Sequence, residues 1–137
     1  MAFVVDASVT MGWCFEDENE AYSDTVLARL AEDEAIVPSI WLLEVANVVL
    51  GAERRHRLTP AQATRFLELL GSLPISVDDA TEVRSIWPIL ELGRAHNLSS
   101  YDAAYLELAL REGVPLATLD ERLVRAAQRV GVTVLER

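Results

Sequence analysis

The sequence predicts an α/β protein, an α/β/α sandwich with a mostly parallel central sheet. Short apolar runs such as "AFVV" and "AIVP" alternate along the chain with longer segments whose apolar residues recur at helical spacing. Some of these runs are separated by two helical segments rather than one. Strands that alternate with helices in this way pair in parallel, with the helices packed on the sheet.

The first half of the chain contains two predicted strands and three predicted helical segments. The run "AFVVDA" is predicted to be a short buried strand that ends at Asp6, and a short helical segment follows through "SVTMGWCF". "AIVPS" is the second strand, and Ser39 opens a helix that carries Glu44 and runs to the basic cluster "ERRHR". The helix between the two strands has an apolar stripe at Tyr22, Val26, Leu27 and Leu30.

The next helix has a clear start. In "LTPAQ", Thr59 is the expected N-cap and Pro60 is the expected first helical residue. "LPISV" is the third predicted strand, and "DDATEV" is expected to begin a helix that Pro88 kinks or interrupts. The predicted buried stripe of the helix after Thr59 is Ala63, Phe66, Leu67 and Leu70.

The remaining segments continue the alternation. "LSSYDAAYLELALREG" is predicted to be a helix with Ser99 as its N-cap and Gly113 as its stop. "VPLATLD" is a strand, "DERLVRAAQRVG" is a helix, and "VTVL" is expected to form the last strand. Asp6 and Asp120 both stand at the carboxyl ends of predicted strands, where parallel sheets bind their ligands.

Length and composition indicate one compact domain that spans residues 1–137. Hydrophobic residues make up 51% of the chain, which excludes disorder. The N-terminus lacks a basic stretch before its apolar run, and no segment approaches the roughly 20 apolar residues of a membrane span. The single cysteine, Cys14, excludes an internal disulfide. We therefore expect a cytoplasmic protein without a membrane partner.

The net charge of −10 is unevenly distributed. Residues 1–34 contain nine acids and one arginine, whereas residues 35–75 contain three acids and four arginines. Nucleic-acid binders usually present a basic face, so the total charge argues against one. The cluster Glu53 to Arg57 is the local exception, and a solvated helix end that complements the helix dipole is the favoured interpretation over phosphate contact.

The basic residues exclude several enzyme classes. All twelve are arginine, so the chain has no P-loop lysine, kinase lysine or Schiff-base lysine. His56 and His96 are the two histidines, and no neighbouring pattern predicts a histidine triad or a histidine-rich zinc site. A catalytic mechanism that needs two neighbouring histidines as general acid and general base is excluded for the same reason.

Four carboxylates stand where a strand end or a helix start meets an apolar run. They are Asp6 in "FVVDAS", Glu44 in "WLLEVAN", Asp102 in "SSYDAAY" and Asp120 in "ATLDERL". Asp6 and Asp120 also fit simple N-caps, and Asp102 stands at a capping-box position after Ser99. Glu44 has no such structural explanation, because it lies in about the second turn of its helix among apolar neighbours.

Four acids at one edge of a sheet cannot all stay ionised without a cation. Ligands that are all oxygen atoms suit Mg²⁺ or Mn²⁺, and such an ion activates water and neutralises phosphate charge. The sequence therefore predicts a divalent-metal site with Asp6, Glu44, Asp102 and Asp120 around it.

The order and spacing of "VVDAS", "LLEVANVV", "SSYDAAYLELA" and "LATLDERL" resemble the PIN domain over essentially the whole chain, most closely the VapC-type toxins of bacterial toxin–antitoxin pairs. The resemblance implies a ribonuclease that depends on Mg²⁺ or Mn²⁺ and leaves 5′-phosphate and 3′-hydroxyl ends. It implies that the four acids are the catalytic residues and metal ligands. It also implies a homodimer and a VapB-type antitoxin whose tail covers the acidic pocket. Supporting roles are expected for Thr118, Asn47 and Ser8.

Two other functions remain compatible with the sequence, and two are excluded. A PIN nuclease of RNA processing without an antitoxin and a catalytically silent PIN-like scaffold both fit the residues. A haloacid-dehalogenase-type phosphatase needs a second acid where the chain has Ser8, and it needs a lysine. A response-regulator receiver also needs a lysine. Apolar residues near the start of the chain are expected to be core rather than a partner groove: Trp13, Phe15 and Leu27.

Overall fold

The computed structural model describes residues 1–15, 21–79 and 85–136. Within these ranges the strands form a sheet in the order β3-β2-β1-β4, and each neighbouring pair is parallel. The predicted parallel sheet is thereby confirmed. The strands are β1 (Ala2–Val5), β2 (Glu34–Pro38), β3 (Ile75–Asp78) and β4 (Leu116–Ala117).

Helices cover the sheet. Helix α6 packs against β1, β2 and β4, whereas α1 packs against α2 and α3. Phe3, Val4 and Val5 are all buried, which requires cover on both faces of β1 because successive side chains point to opposite faces. The described helices are α1 (Ala7–Met11), α2 (Ala21–Arg29), α3 (Ile40–Arg54), α4 (Pro60–Ser72), α5 (Ile86–His96), α6 (Ser100–Glu112) and α7 (Glu121–Val130).

The predicted caps are present. The Thr59 hydroxyl accepts from the backbone N–H of Gln62, whose side chain accepts in return from the backbone N–H of Thr59. Ser99 caps α6, and Gly113 ends that helix with a φ of 65°, a left-handed conformation that favours glycine. These helix ends follow from local sequence chemistry alone.

The apolar residues near the start of the chain belong to the core, as expected. Phe15 is buried, and Trp13 and Leu27 are partly buried against the same core. In the ranges described, no helix is both long enough and apolar enough to cross a membrane.

The predicted buried stripe of α4 is wrong at one position. Ala63 and Phe66 are buried and Leu70 is partly buried, but the Leu67 side chain is 51% exposed. Leu67 faces the open groove between α3 and α4 rather than the core. The spacing of apolar residues identifies the apolar face of α4, but it does not show how much of that face neighbouring elements cover.

The prediction that Pro88 kinks or interrupts a helix begun in "DDATEV" stays a prediction. The expected start in "DDATEV" falls largely on residues 80–84, outside the described residues. As described, α5 begins at Ile86 and runs to His96 with Pro88 in its first turn. A proline is tolerated there, because the first N–H groups of a helix have no intrahelical partner.

The predicted last strand "VTVL" is wrong as a strand. Val134 forms a single parallel bridge with Leu116, whose backbone bonds to Thr133 and Leu135 at 2.9 Å. Since β4 is two residues long, it offers this segment one bridge rather than a full ladder.

Candidate active site

Two of the predicted site residues follow adjacent strands of the sheet. Asp6 comes directly after β1 and caps α1, while Asp120 lies three residues after β4 and caps α7. The register pairs Val5 with Ala117, so Asp6 and Thr118 leave their strands side by side. The N-cap interpretation of both acids is confirmed, and it places them at the carboxyl edge of the sheet.

Thr118 connects these two acids through its hydroxyl group. The hydroxyl donates a short hydrogen bond to the Asp6 carboxylate and accepts from the backbone N–H of Asp120 at 3.0 Å. Thr118 is fully buried, so neither bond is exchanged for water. Ser8 makes a similar bridge: its hydroxyl donates to the other Asp6 oxygen at 2.6 Å and accepts from the backbone N–H of Leu119 at 3.1 Å.

Asp6 is the most buried of the four acids, with 5% of its surface exposed. Burial raises the pKa of Asp6 from 3.8 to about 6, and the charge of Asp102 adds to the increase. Hydrogen bonds from Ser8, Thr118 and the backbone N–H of Val9 act in the opposite direction and favour the ionised carboxylate.

Glu44 faces Tyr105. The Tyr105 hydroxyl donates to the Glu44 carboxylate atom Oε1 at 2.6 Å, which joins α3 to α6. Burial raises the pKa of Glu44, the bond from Tyr105 lowers it, and the charge of Asp102 raises it further. Burial and the Glu44 carboxylate both raise the pKa of Tyr105 well above its usual value, so the phenol remains a donor.

Helix α3 is fixed against α1 beside the site. The Trp41 indole donates to the Thr10 hydroxyl at 2.9 Å, and that hydroxyl donates to the backbone carbonyl of Asp6, also at 2.9 Å. Thr10 is fully buried and Trp41 nearly so. This chain of bonds ties the start of α3, and with it Glu44 one turn later, to the end of β1.

Asp102 lies in the first turn of α6, half-buried, between the other acids. Burial and the charge of Asp120 raise the pKa of Asp102, whereas Ser99 and Arg122 lower it. Since the charge of Asp102 also raises the pKa of Asp6 and of Glu44, Asp102 interacts electrostatically with each of the other three acids. Asp6, Glu44, Asp102 and Asp120 are called the carboxylate cluster below.

The donor set of this carboxylate cluster suits a hard divalent cation, because every candidate ligand is a carboxylate oxygen. Among the described residues, no arginine forms an ion pair with any of the four acids. In the same ranges, no three Asp, Glu, His or Cys side chains are arranged so that they hold a metal ion.

The supporting role of Asn47, the third such residue, stays a prediction. Asn47 lies on α3 one turn after Glu44, and its side chain is exposed. It makes no side-chain hydrogen bond within the described ranges.

The sequence did not point to Tyr105, the hydrogen-bond partner of Glu44. Tyr105 follows Asp102 by three residues in α6, and residues at that spacing share a helix face. The spacing is the signal that predicts both side chains on the face toward Glu44. Tyr105 is 1% exposed, so the same signal also fits an ordinary core residue.

Comparison with known proteins gives one family. Residues 3–129 match the PIN domain family. The chain is 32% identical to Ribonuclease VapC3 of Mycobacterium tuberculosis over 124 residues, which cover 90% of this chain and 85% of the relative. It is 28% identical to Ribonuclease VapC3 of Pyrobaculum aerophilum over 123 residues, which cover 90% of this chain and 92% of the relative.

The fold has a solved counterpart in the crystal structure of VapBC2 from Rickettsia felis, bound to a DNA fragment from their promoter. One chain of that structure superimposes on this protein with a TM-score of 0.70 at 15% identity. The match covers 99% of this chain and 98% of the other.

Proposed function

The chain belongs to the PIN domain family, and from that premise we propose that it is a metal-dependent endoribonuclease, the toxin of a toxin–antitoxin pair. The single observation that carries the proposal is the carboxylate cluster. Asp102 raises the pKa of both Asp6 and Glu44, and Asp120 raises that of Asp102. The cluster lies at the carboxyl edge of a parallel sheet, where ligands of such folds bind.

In this proposal Asp6, Asp102 and Asp120 would hold Mg²⁺ or Mn²⁺, directly or through water, and Glu44 would complete the shell or orient the attacking water. A bound divalent ion would supply an activated water and neutralise charge on the phosphodiester. Both Asp6 oxygens accept hydrogen bonds, from Ser8 and Thr118, which oppose the effect of burial on the pKa of Asp6 and fix the direction of its carboxylate.

Glu44 positions the attacking water. Tyr105 donates to Oε1 and thereby fixes the carboxylate plane, which leaves Oε2 to accept a hydrogen bond from that water. The half-buried setting that raises the pKa of Glu44 also makes this carboxylate a better proton acceptor. Attack of water at phosphorus with breakage of the bond to the 3′-oxygen, which leaves as the 3′-hydroxyl, would yield the expected 5′-phosphate and 3′-hydroxyl ends.

The proposed partners are RNA, a second copy of the chain and a VapB-type antitoxin, in the cytoplasm. The two curated relatives carry the name VapC, and the Rickettsia felis counterpart of the fold was solved as VapBC2. The net charge of −10 favours an antitoxin segment that delivers a basic side chain toward the carboxylate cluster.

Cleavage of total RNA by the purified, partner-free protein tests the function. The reactions contain Mg²⁺, Mn²⁺ or chelator, and they compare the wild type with Asp6→Asn. Asp24→Asn is the matched control, because it removes the same charge from an exposed position on α2. We expect cleavage that requires metal, persists in Asp24→Asn and falls on the order of 100-fold or more in Asp6→Asn.

Circular dichroism shows whether each variant is folded. Cleavage that survives both chelator and Asp6→Asn refutes the metal-dependent mechanism. The absence of cleavage by folded wild-type protein with either metal refutes the general ribonuclease proposal.

A further inference from the structure

A second cleft, outside the carboxylate cluster, combines basic and aromatic side chains. It has a volume of about 470 Å³ and lies where the turn after α1 meets the start of α4. We propose that this basic–aromatic cleft binds one nucleotide of single-stranded RNA a short distance from the bond that is cut. The proposal rests on the proposed ribonuclease function. The residues of the cleft that carry it are Trp13, Phe15, Arg57, Gln62, Arg65 and Phe66.

The two types of side chain are already combined in the structure. The guanidinium of Arg57 lies 4.1 Å from the centre of the Phe15 ring. Phe15 and Phe66 are buried at 6% and 5% exposure, so they form the floor, whereas Arg57 and Arg65 are exposed at the rim.

The arginines of the basic cluster Glu53 to Arg57 lie in two different environments. Arg54 occupies the last turn of α3, where it complements the helix dipole as expected. Arg57 lies beyond the end of α3, after His56, whose φ of 58° turns the chain toward α4. Dipole complementation does not explain Arg57, because its side chain packs on Phe15 in the cleft.

Basic side chains line one side of the cleft. Residues 35–75, which contribute Arg57 and Arg65, carry four arginines and three acids, whereas residues 1–34, which contribute Trp13 and Phe15, carry one arginine and nine acids. Two of those arginines line the cleft, and within the described ranges no carboxylate forms an ion pair with Arg65. Positively charged grooves that follow the backbone are a usual feature of proteins that bind single-stranded nucleic acid.

The cleft lies near the carboxylate cluster along the chain, where the RNA bond would be cleaved. Asp6 precedes α1 and Trp13 follows it, seven residues apart. Helix α1 is five residues long, about 7.5 Å at 1.5 Å per residue, so the turn that carries Trp13 begins a short distance from the Asp6 cap. An RNA strand that is bound at the carboxylate cluster and runs along α1 therefore passes the cleft.

Salt-dependent RNA binding tests the inference. The probe is a fluorescein-labelled, randomised single-stranded RNA of about 12 nucleotides, a length within single-strand site sizes. Chelator prevents cleavage during the measurement. The test variant is Arg65→Gln, and the matched control is Arg129→Gln, an exposed arginine in the last turn of α7. Both variants remove one positive charge.

We expect Arg65→Gln to make the slope of log affinity against log salt shallower by about 0.7, the contribution of one phosphate contact on a single strand. The ratio of wild-type to Arg65→Gln affinity should therefore be roughly fivefold larger at 0.1 M salt than at 1 M salt. Arg129→Gln should keep the wild-type slope. Circular dichroism confirms that both variants are folded.

Equal slopes in the two variants overturn the inference, because the effect of Arg65 is then only one of net charge. Binding of a polyglutamate peptide that is lost in Arg65→Gln, with unchanged RNA binding, also overturns it and assigns the cleft to a protein partner. Metal-dependent cleavage by the wild type is measured in parallel. Equal slopes together with metal-dependent cleavage by the wild type refute only RNA binding by the cleft. Folded wild-type protein that neither binds nor cleaves RNA refutes the proposed ribonuclease function.

Discussion

Thr118 holds the two strand-end acids of the carboxylate cluster together through one hydroxyl group. The hydroxyl donates to Asp6 and accepts from the backbone N–H of Asp120, inside a fully buried environment. A buried carboxylate that loses a donor still bears its cost of desolvation. The direction in which Asp6 presents its oxygens therefore depends on Thr118.

Replacing Thr118 with valine preserves the shape of the side chain and removes the hydroxyl. We expect Thr118→Val to lower the free energy of unfolding by about 1–3 kcal/mol, because a buried acceptor and a backbone donor lose their partner. Its rate of RNA cleavage should fall about 10- to 100-fold, as for other residues that orient a metal ligand. Thr118→Ser keeps the hydroxyl and is the control. Equal urea-unfolding midpoints and cleavage rates in the two variants would contradict this role.

The burial of Asp6 makes the stability of the metal-free protein depend on pH. The pKa of Asp6 is raised from 3.8 to about 6, so the folded protein holds this proton more tightly than the unfolded chain. The stabilising contribution of the protonated form is complete below about pH 4 and is lost as the pH rises through about 6. The loss is about 3 kcal/mol.

Urea unfolding in chelator at pH 4.5 and pH 7.5 measures this effect. We expect Asp6→Asn to reduce the difference in unfolding free energy between the two pH values, because asparagine does not titrate. Asp24→Asn, at an exposed position, should keep the wild-type difference. A pH dependence in Asp6→Asn that is as steep as in the wild type would show that other groups cause it.

Among the elements, α6 connects the carboxylate cluster to the far edge of the sheet. Its first half carries Asp102 and Tyr105. Near its end, the Arg111 guanidinium binds Glu107 in the same helix and Asp78 at the end of β3, each at 2.9 Å. Since Glu107 is 8% exposed, its carboxylate needs this partner.

Arg111→Met keeps most of the side-chain length and removes the charge. We expect a loss of about 1–2 kcal/mol in the free energy of unfolding, less than for a fully buried pair because Arg111 is 32% exposed. Arg129→Met, on an exposed face of α7, should change stability by less than about 0.5 kcal/mol. Urea unfolding of both variants checks this, and equal losses would contradict the structural role of the Arg111 bridge.

The elements also show which parts of the fold the sequence predicts. The caps at Thr59 and Ser99 were predicted correctly, because a cap is made by residues within three positions of each other. The errors at Leu67 and "VTVL" concern what another element covers or how long a partner strand is. Such properties depend on contacts between distant segments, which local pattern does not contain.

At the scale of the whole molecule, the parallel sheet explains why the candidate site was visible in the sequence. Acids that follow β1 and β4 meet because the two strands are parallel neighbours, so Asp6 and Asp120 could be predicted together. Glu44 could be found because a carboxylate in an apolar run needs a partner. That partner, Tyr105, could not be identified, since the contact joins residues 61 positions apart.

The central claim is that the four carboxylates form one divalent-metal site, and Mn²⁺ binding tests it most directly. Electron paramagnetic resonance of free Mn²⁺ gives the affinity of the purified protein at pH 7.5. We expect the wild type and Asp24→Asn to bind Mn²⁺ with the same affinity. Asp102→Asn should bind Mn²⁺ more weakly by on the order of tenfold or more, because the charge of Asp102 interacts with each of the other three acids. Mn²⁺ affinity that is the same in Asp102→Asn as in the wild type would contradict the central claim.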